Sequence, residues 1–325
     1  MKHQSPFPFV YPVIVPLPTS LVSVNFYIVK RQSSIVLIDA GFNNEQCWQE
    51  LTKALNDNGL ALDDLSEIIL THHHFDHAGL VNRIAEKHDI KISASPLAIP
   101  RLKRDKRYME ARIPFFQSLY EEMGCGDRGL KQIEYLKSAI VKNEDQAIHQ
   151  EIFPIEGNSH HPFEVIPIPG HAPDQLAFWD EETQSLFSGD LVLGHISSNA
   201  LIEPDSNGQR LPTLSQHKSS LEKVLSLMPS VIYSGHGEVI REPLPLLRQR
   251  IKRIDAKADK FLDMLIPEAK TAADLAKSFY KNTYHEQFSL VMSEVISHLD
   301  YLEAQGKVIK TRKGTVWIYQ AATTG

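Results

Sequence analysis

Hydrophobic and polar positions alternate through residues 20–30, SLVSVNFYIVK, and this period of two predicts a strand with one buried face. Residues 33–41, SSIVLIDAG, predict a second strand ending at Asp39 and the turn glycine Gly41. Apolar Trp48, Leu51 and Leu55 then recur at helical spacing and predict a helix from about Asn44 to Asn58. The short apolar run 66–71, SEIILT, reads as a buried strand and leads directly into THHHFDHAG. A helix over HAGLVNRIAEKH and a strand over IKISAS follow. Strands alternating with helices in this way predict a layered α/β domain.

The rhythm breaks over residues 96–160, which are helical and charged (RLKRDKRYMEAR) and carry a glycine cluster at Gly124, Gly126 and Gly129. Such an insertion is expected to be a lid or a surface decoration. Tyr108, Met109, Phe115, Phe116 and Tyr120 recur within it at roughly helical spacing, as core packing requires. Short strands resume in FEVIPIPG (163–170), QLAFWD (175–180) and SLFSGD (185–190), with DEETQ as the turn between the last two. A helix around Ser215 to Leu227 precedes the strand SVIYSGHG (230–237). Beyond Pro243 a long helix, LLRQRIKRIDAKADKFLDML, leads to a short one capped by Thr271 and a longer one stopped by Gly306. KVIKTRKGTVWIY then predicts a hairpin turning at Lys313-Gly314. Helix, helix, hairpin is the order of a winged-helix domain, so the expected division is a domain over 1–242 and a winged-helix-like unit over 243–325.

Composition narrows the classes. At 325 residues, 42% hydrophobic and 23% charged, the chain is long enough for two domains and a sizeable core. Its two cysteines, Cys47 and Cys125, exclude a disulfide framework and a Cys-rich zinc site and fit a reducing cytoplasm. No run reaches the roughly 18 apolar residues of a membrane span. Pro6, Pro8, Pro12 and Pro16 interrupt the apolar N-terminal stretch that a signal peptide would need. A cytoplasmic protein with no membrane partner is therefore expected. The net charge of −6 argues against a generally nucleic-acid-coating surface. The outlying number is 15 histidines.

Those histidines cluster. His72-His73-His74-Phe75-Asp76-His77 has the form H-x-H-x-D-H directly after a buried strand. Residues two apart in an extended segment point the same way, so His72 and His74 can chelate one ion. Asp76 and His77, once the chain turns into a helix, can face a second. Pro169-Gly170-His171, Ser188-Gly189-Asp190 and Ser234-Gly235-His236-Gly237 each end a strand at glycine and then present His or Asp. Four strand ends offering such ligands predict a two-metal centre.

In these motifs and their order, the chain from about residue 20 to residue 242 resembles the metallo-β-lactamase-fold hydrolase superfamily. The resemblance implies a four-layer αββα fold. It further implies that His72, His74 and His171 hold one metal and Asp76, His77 and His236 the other, with Asp190 bridging both. The absence of a ligand cysteine is similar to the glyoxalase II and ribonuclease Z branches. Asp39 matches a family aspartate that hydrogen-bonds behind the ligand loop, where it would orient a ligating imidazole. The PGHAPDQLAFW and SGDLVLGHISSNALIEP segments resemble a subgroup with a C-terminal winged-helix unit.

Five imidazoles and two carboxylates suit two Zn²⁺ ions, and also iron or manganese. Two cations roughly 3.5–4 Å apart would hold a hydroxide between them and polarise the substrate. Asp76 is the expected catalytic residue, orienting the attacking water and taking its proton. The expected substrate is a small-molecule thioester, ester or lactone. Phosphodiester cleavage of single-stranded RNA is the alternative, with di-iron redox chemistry and DNA-binding regulation further behind. His195 and Asn199, in the loop after Asp190, are candidate substrate contacts. From Leu247 onward the chain carries 13 Lys+Arg against 9 Asp+Glu, and the remainder 21 against 31. The acidic part carries the metal motifs, so nucleic acid is the second choice of partner. The densest basic cluster, Arg248, Arg250, Lys252 and Arg253, reads as a solvated helix face, and the appended unit as a dimerisation or lid-supporting element that admits a homodimer.

Overall fold

The computed structural model describes residues 9–31 and 34–322. Pro6, Pro8 and Ser33, used in the sequence reading, lie outside the described residues. The chain opens with β1 (Val10–Pro16), β2 (Ser23–Arg31), β3 (Ser34–Ile38), α1 (Glu45–Asp57), β4 (Glu67–Ile69), α2 (Phe75–Ala78), α3 (Val81–Ala85), β5 (Lys91–Ala94) and α4 (Ile99–Leu102). Three helices follow, α5 (Lys106–Ala111), α6 (Ile113–Glu122) and α7 (Gly126–Lys142), and then β6 (Phe153–Pro154), β7 (Ser159–His160), β8 (Phe163–Pro167), β9 (Leu176–Asp180) and β10 (Ser185–Gly189). The remainder is α8 (Thr213–Ser226), β11 (Val231–Ser234), α9 (Pro243–Leu265), α10 (Ala272–Tyr280), α11 (Asn282–Glu286), α12 (Phe288–Ala304), β12 (Val308–Lys313) and β13 (Val316–Ala321).

Two compact units emerge. The first holds the described residues up to Asp105, Asp145–Ser198 and Ser220–Leu247. It is built on two sheets, one in the order β1-β2-β3-β4-β5-β6 and one in the order β11-β10-β9-β8-β7. Tyr27, Val29, Val36 and Ile38 of the first sheet meet Phe163, Phe178, Phe187 and Tyr233 of the second in one apolar cluster between them. The outer face of the first sheet, with Val24, Phe26, Ile28 and Leu37, packs on Cys47, Leu51 and Leu55 of α1 and on Val81 and Ile84 of α3. Beside the second sheet, Ser220 and Lys223 of α8 donate to the carbonyls of Pro169 and Pro167. This is the α/β metallo-β-lactamase architecture, in its αββα layering.

Two local readings change. β2 was expected to bury one face, yet every residue from Ser23 to Val29 is buried, because the strand lies between two apolar layers. Its polar members, Ser23 and Asn25, are buried because they hold a loop of the site, as described below. β1 was hidden by its prolines. As the outermost strand of its sheet it has a free side on which the missing N–H of Pro12 breaks no ladder.

The second unit comprises Lys106–Glu144, Asn199–Ser219 and the described residues from Arg248 on. Phe116, Leu119 and Tyr120 of α6 and Ile133 of α7 join Phe261 and Leu265 of α9, Leu275 of α10, and Val295 and Leu299 of α12 in its core. Of the 96–160 insertion, Lys106–Glu144 belongs to this unit and both flanks belong to the first. The insertion's apolar stripe closes on the C-terminal helices, and the compact units do not divide the chain at residue 243. Tyr108 and Met109 lie outside that core, whereas Phe116 and Tyr120 belong to it and Phe115 packs against it. The C-terminal segment follows the expected helix-then-hairpin order, with the short α11 as an addition. Arg250 is buried while Arg248, Lys252 and Arg253 are exposed, so the four do not form one solvated face. Among the described residues no helix is long and apolar enough to cross a membrane.

Candidate metal centre

The candidate residues leave their strands at C-terminal ends. Asp39 follows β3, Thr71 and His72 follow β4, His171 follows β8, Asp190 follows β10 and His236 follows β11. They assemble into two groups of donors, His72, His74, His171 and Asp190 in one and Asp76, His77 and His236 in the other. Within each group the donor atoms all lie within 4.8 Å of one another. Asp190 joins the two. Its Oδ1 is 3.4 Å from His77 Nε2, and its Oδ2 is 3.2 Å from His236 Nε2 and 3.6 Å from His171 Nε2. Asp76 Oδ2 approaches His236 Nε2 at 3.4 Å. His74 turns its Nδ1 to His72 Nε2 at 2.9 Å and to His171 Nε2 at 3.1 Å. All seven residues named from the sequence therefore meet at one place.

The remaining ring nitrogens are anchored, which decides which nitrogen faces the site. Asp39 takes a left-handed backbone, φ 61°, and aims its carboxylate back at the ligand loop. It accepts the Thr71 main-chain N–H and the Thr71 hydroxyl, each at 2.8 Å, and meets His77 Nδ1 at 2.8 Å. Because the Thr71 hydroxyl proton is spent on Asp39, His72 Nδ1, 3.0 Å from Thr71 Oγ1, must be the donor of that pair. His72 and His77 are thus both fixed with Nε2 turned toward the other ligands of the cluster, and one aspartate orients an imidazole in each group. His236 Nδ1 donates to the Ser23 carbonyl at 2.7 Å, and His171 Nδ1 lies 3.1 Å from Ser198 Oγ.

Electrostatics follow the same division. Burial, reinforced by the neighbouring imidazoles, holds the pKa of His72 and His74 well below the ordinary value, so both present lone pairs at neutral pH. Burial also works against a charge on His77, but the carboxylates of Asp190, Asp39 and Asp76 outweigh it and raise its pKa well above the ordinary value. His236 is raised as well, burial again being overcome by Asp190. Burial alone would raise Asp190, yet His77 and His236 hold it well below the carboxylate range.

Does this set fit a cation? His77 Nε2, His236 Nε2 and Asp190 Oδ1 are buried and have no hydrogen-bond partner. Buried polar atoms normally make hydrogen bonds, and atoms of the metal-ligating kind that instead converge on one point at ion-pair distances match what divalent ions require. The residues fit the group.

Several supporting residues escaped the sequence reading. Asn25 Nδ2 donates to the carbonyls of Ser234 and Gly237 at 3.0 and 2.7 Å, and Tyr27 Oη donates to Ser234 O at 2.6 Å. These bonds hold the loop that carries His236. The available signal was a lone amide inside an apolar strand. Gly235 was noted only as a strand-end glycine, but a β-carbon there would lie 2.3 Å from Asp190 Oδ1 and 2.6 Å from His77 Cε1. His195 is exposed, packs its ring over Gly237 and meets the Ser20 carbonyl at 3.0 Å, which puts it beside the His236 loop. Asn199 belongs to the second unit.

Facing sheets with two adjoining His/Asp donor groups at their strand ends define a class of α/β metal-site proteins. The chain belongs to the metallo-beta-lactamase superfamily, whose family model matches residues 19–236. It is 28% identical over 304 residues to the probable metallo-hydrolase YqjP of Bacillus subtilis, covering 92% of this chain and 94% of that protein. It is 25% identical over 233 residues to an atrochrysone carboxyl ACP thioesterase of Aspergillus fumigatus, covering 72% of this chain and 56% of that one. Among solved structures, a metallo-beta-lactamase family protein of Thermus thermophilus matches with a TM-score of 0.76 at 22% identity, covering 98% of this chain and all (100%) of that one. A beta-lactamase domain protein of Burkholderia ambifaria matches with a TM-score of 0.78 at 20% identity, covering 98% and 94%. These two show the shared fold.

Proposed function

We propose that this metal-dependent hydrolase cleaves acyl bonds (thioester, ester or lactone) with two divalent cations, zinc foremost, held by His72, His74 and His171 on one side and Asp76, His77 and His236 on the other, Asp190 serving both. The observation that carries this reading is the crowding of buried donor atoms, His77 Nε2, His236 Nε2 and Asp190 Oδ1, which make no ordinary hydrogen bond and face one another, the other Asp190 oxygen and Asp76 at ion-pair distances of 3.2–4.0 Å. When bound, such cations supply Lewis acidity, polarising a carbonyl oxygen and bringing the pKa of water towards neutrality.

The chain's own residues do the rest. Asp39 and Thr71 keep the imidazoles of His72 and His77 turned to the site. Asp190 spreads its two oxygens over both donor groups. Asp76 Oδ2, 3.4 Å from His236 Nε2, takes the proton of the attacking water. Phe75 stands on the ligand loop between His74 and Asp76, 58% exposed, and its ring centroid is 5.4 Å from that of Phe42. That pair offers an acyl group an apolar surface at the ligand loop, and His195 offers a polar contact beside His236. The thioesterase relative supports a thioester as the bond cleaved.

One panel tests the reading. Wild type and Asp76→Ala are assayed on S-acyl thioesters, aryl esters, lactones and single-stranded RNA, with metal content measured alongside. Thioester or ester cleavage by wild type, lost in Asp76→Ala with little change in unfolding temperature, is the expected outcome. Cleavage of RNA alone would reverse the choice of substrate, and active protein without transition metal would remove the mechanism.

A further inference from the structure

Residues 171–176 do more than deliver His171. Asp174 is 1% exposed and turns both carboxylate oxygens to one residue, with the charge of Arg101 also acting on it. Oδ2 accepts the His73 main-chain N–H at 2.9 Å, and Oδ1 meets His73 Nδ1 at 2.6 Å. His73 is the spacer between His72 and His74. Two residues on, Leu176 N–H donates to the Thr71 carbonyl at 2.8 Å, while Gln175 Nε2 donates to the Ser188 carbonyl at 3.2 Å. The segment that carries one ligand is thereby tied to the chain on both sides of His72 and to the strand end just before Asp190.

A buried carboxylate is costly unless charge-assisted hydrogen bonds offset its lost solvation. Here that arrangement is centred on a histidine that donates nothing to the cluster. Asp39 grips the ligand loop at Thr71 and at His77. Between those grips, His74 and its neighbours turn through a short loop, and Asp174 takes hold of it at His73. The distance between His74 and His171 is accordingly governed from Asp174, three residues after His171 and paired one residue before His74.

We propose that Asp174, acting through His73, is a positioning residue that fixes His72 and His74 relative to His171, and so sets how tightly the His72, His74, His171 and Asp190 group retains its ion. The inference rests on reading that group as a metal site. The role is geometric, which makes the conservative variants informative. Asp174→Asn still accepts the His73 main-chain N–H, and its amide can donate to Nδ1 of the other imidazole tautomer. His73→Asn places an amide donor near the former Nδ1. Asp174→Ala and His73→Ala remove the tie.

The test uses the full chain loaded with Zn²⁺ and titrated with a chromophoric chelator. It also records kcat and KM on a thioester that the wild type cleaves, and the unfolding temperature of metal-free protein. Asp174→Ala and His73→Ala are expected to surrender one ion at about 10–100-fold lower chelator strength than wild type, the usual consequence of losing a ligand's support. The second ion should be retained, and kcat should fall with KM little changed. Asp174→Asn and His73→Asn should stay close to wild type. If the alanine variants hold both ions as tightly as wild type and lose only unfolding temperature, Asp174 serves the fold alone and the proposal is overturned. Equal weakening of both ions would overturn it too. A wild type that binds no Zn²⁺ would instead remove the metal reading on which it stands, whatever Asp174 does. Should Asp174→Ala not fold, the His73 pair decides the matter.

Discussion

Replacing Gly235 with alanine is the smallest change aimed at the centre of the site. The added carbon would lie 2.3 Å from Asp190 Oδ1 and 2.6 Å from His77 Cε1. Ordinary contact needs roughly 3.5 Å, so a side chain or the backbone must retreat by about 1 Å. The backbone is poorly placed to give way, because Gly235 N–H donates to Gly189 O at 2.9 Å and Gly235 O accepts from Asn25 N–H at 2.8 Å. Gly235 is not among the residues with a left-handed backbone, so alanine brings no torsional strain of its own. Asp190 and His77 are therefore the groups that move, and they belong to both donor groups. Displacement of catalytic groups by about 1 Å costs about 100-fold in rate, which is about 2.7 kcal/mol of barrier. The assay is kcat/KM on a thioester the wild type cleaves, with bound metal and unfolding temperature measured on the same sample. Gly59→Ala is the control. Gly59 has φ +67° with nothing within 4 Å of the added carbon, so it should lose about 1 kcal/mol of stability to strain and no activity. Full metal content and wild-type kcat in Gly235→Ala would refute the geometry argued for the centre.

Three further outcomes are expected. Asp39→Asn leaves one acceptor where Thr71 N–H, Thr71 Oγ1–H and His77 Nδ1 converge, so metal affinity should fall about 10–100-fold; a chelator titration matching wild type would sink that role. Asn25→Ala removes the amide that serves the Ser234 and Gly237 carbonyls, and should cost about 1–3 kcal/mol of stability in denaturant melts. Loading metal-free protein with Zn²⁺ at neutral pH should release protons, because the carboxylates raise the pKa of His77 and His236 and the cation displaces those protons. Affinity should then strengthen as pH rises, and calorimetric heats independent of buffer ionisation would contradict it. In the metal-free protein the same raised values stabilise the fold, fully below the unfolded-state pKa near ~6.5, and the gain is lost as pH rises through the folded values.

The donors of the centre were legible in the sequence because chelation imposes short-range spacing. His72, His74, Asp76 and His77 sit within one turn of chain, and His171, Asp190 and His236 each follow a glycine at a strand end. Asp39 was legible only through the family resemblance, since it lies outside the ligand motifs and donates to neither group. What orients those donors was not, because it is long-range: Asn25 reaches Gly237, and His73 reaches Asp174, across more than a hundred residues of chain. The period-two reading of β2 failed on the same account, since burial on both faces is set by a second sheet and a helical layer that the strand's own sequence does not encode. The α6–α7 helices were recognised as helices, but the partner of their apolar stripe lies beyond residue 248 and could not be read locally.

Strand direction explains why so many donors arrive together. β3 and β4 are parallel neighbours, so Asp39 and Thr71–His72 emerge at the same edge of their sheet. β10 and β11 are also parallel, which brings Asp190 and His236 out side by side. β9 runs antiparallel to both β8 and β10, so β8 delivers His171 at that same edge. The aromatic layer of Tyr27, Phe187 and Tyr233 locks the two sheets face to face directly behind these ends. Asp190 and His236, which follow closely on the ends of β10 and β11, are therefore held by rigid strands. His74, Asp76 and His77 are not, for they lie on the loop after β4 and on the single turn of α2. A short turn has little stability of its own, so its donors need tethers from outside. Asp39 supplies one at His77 and Asp174 supplies the other at His73. Asp39 and Asp174, both buried and outside the two donor groups, stand where the fold leaves the ligand loop least constrained.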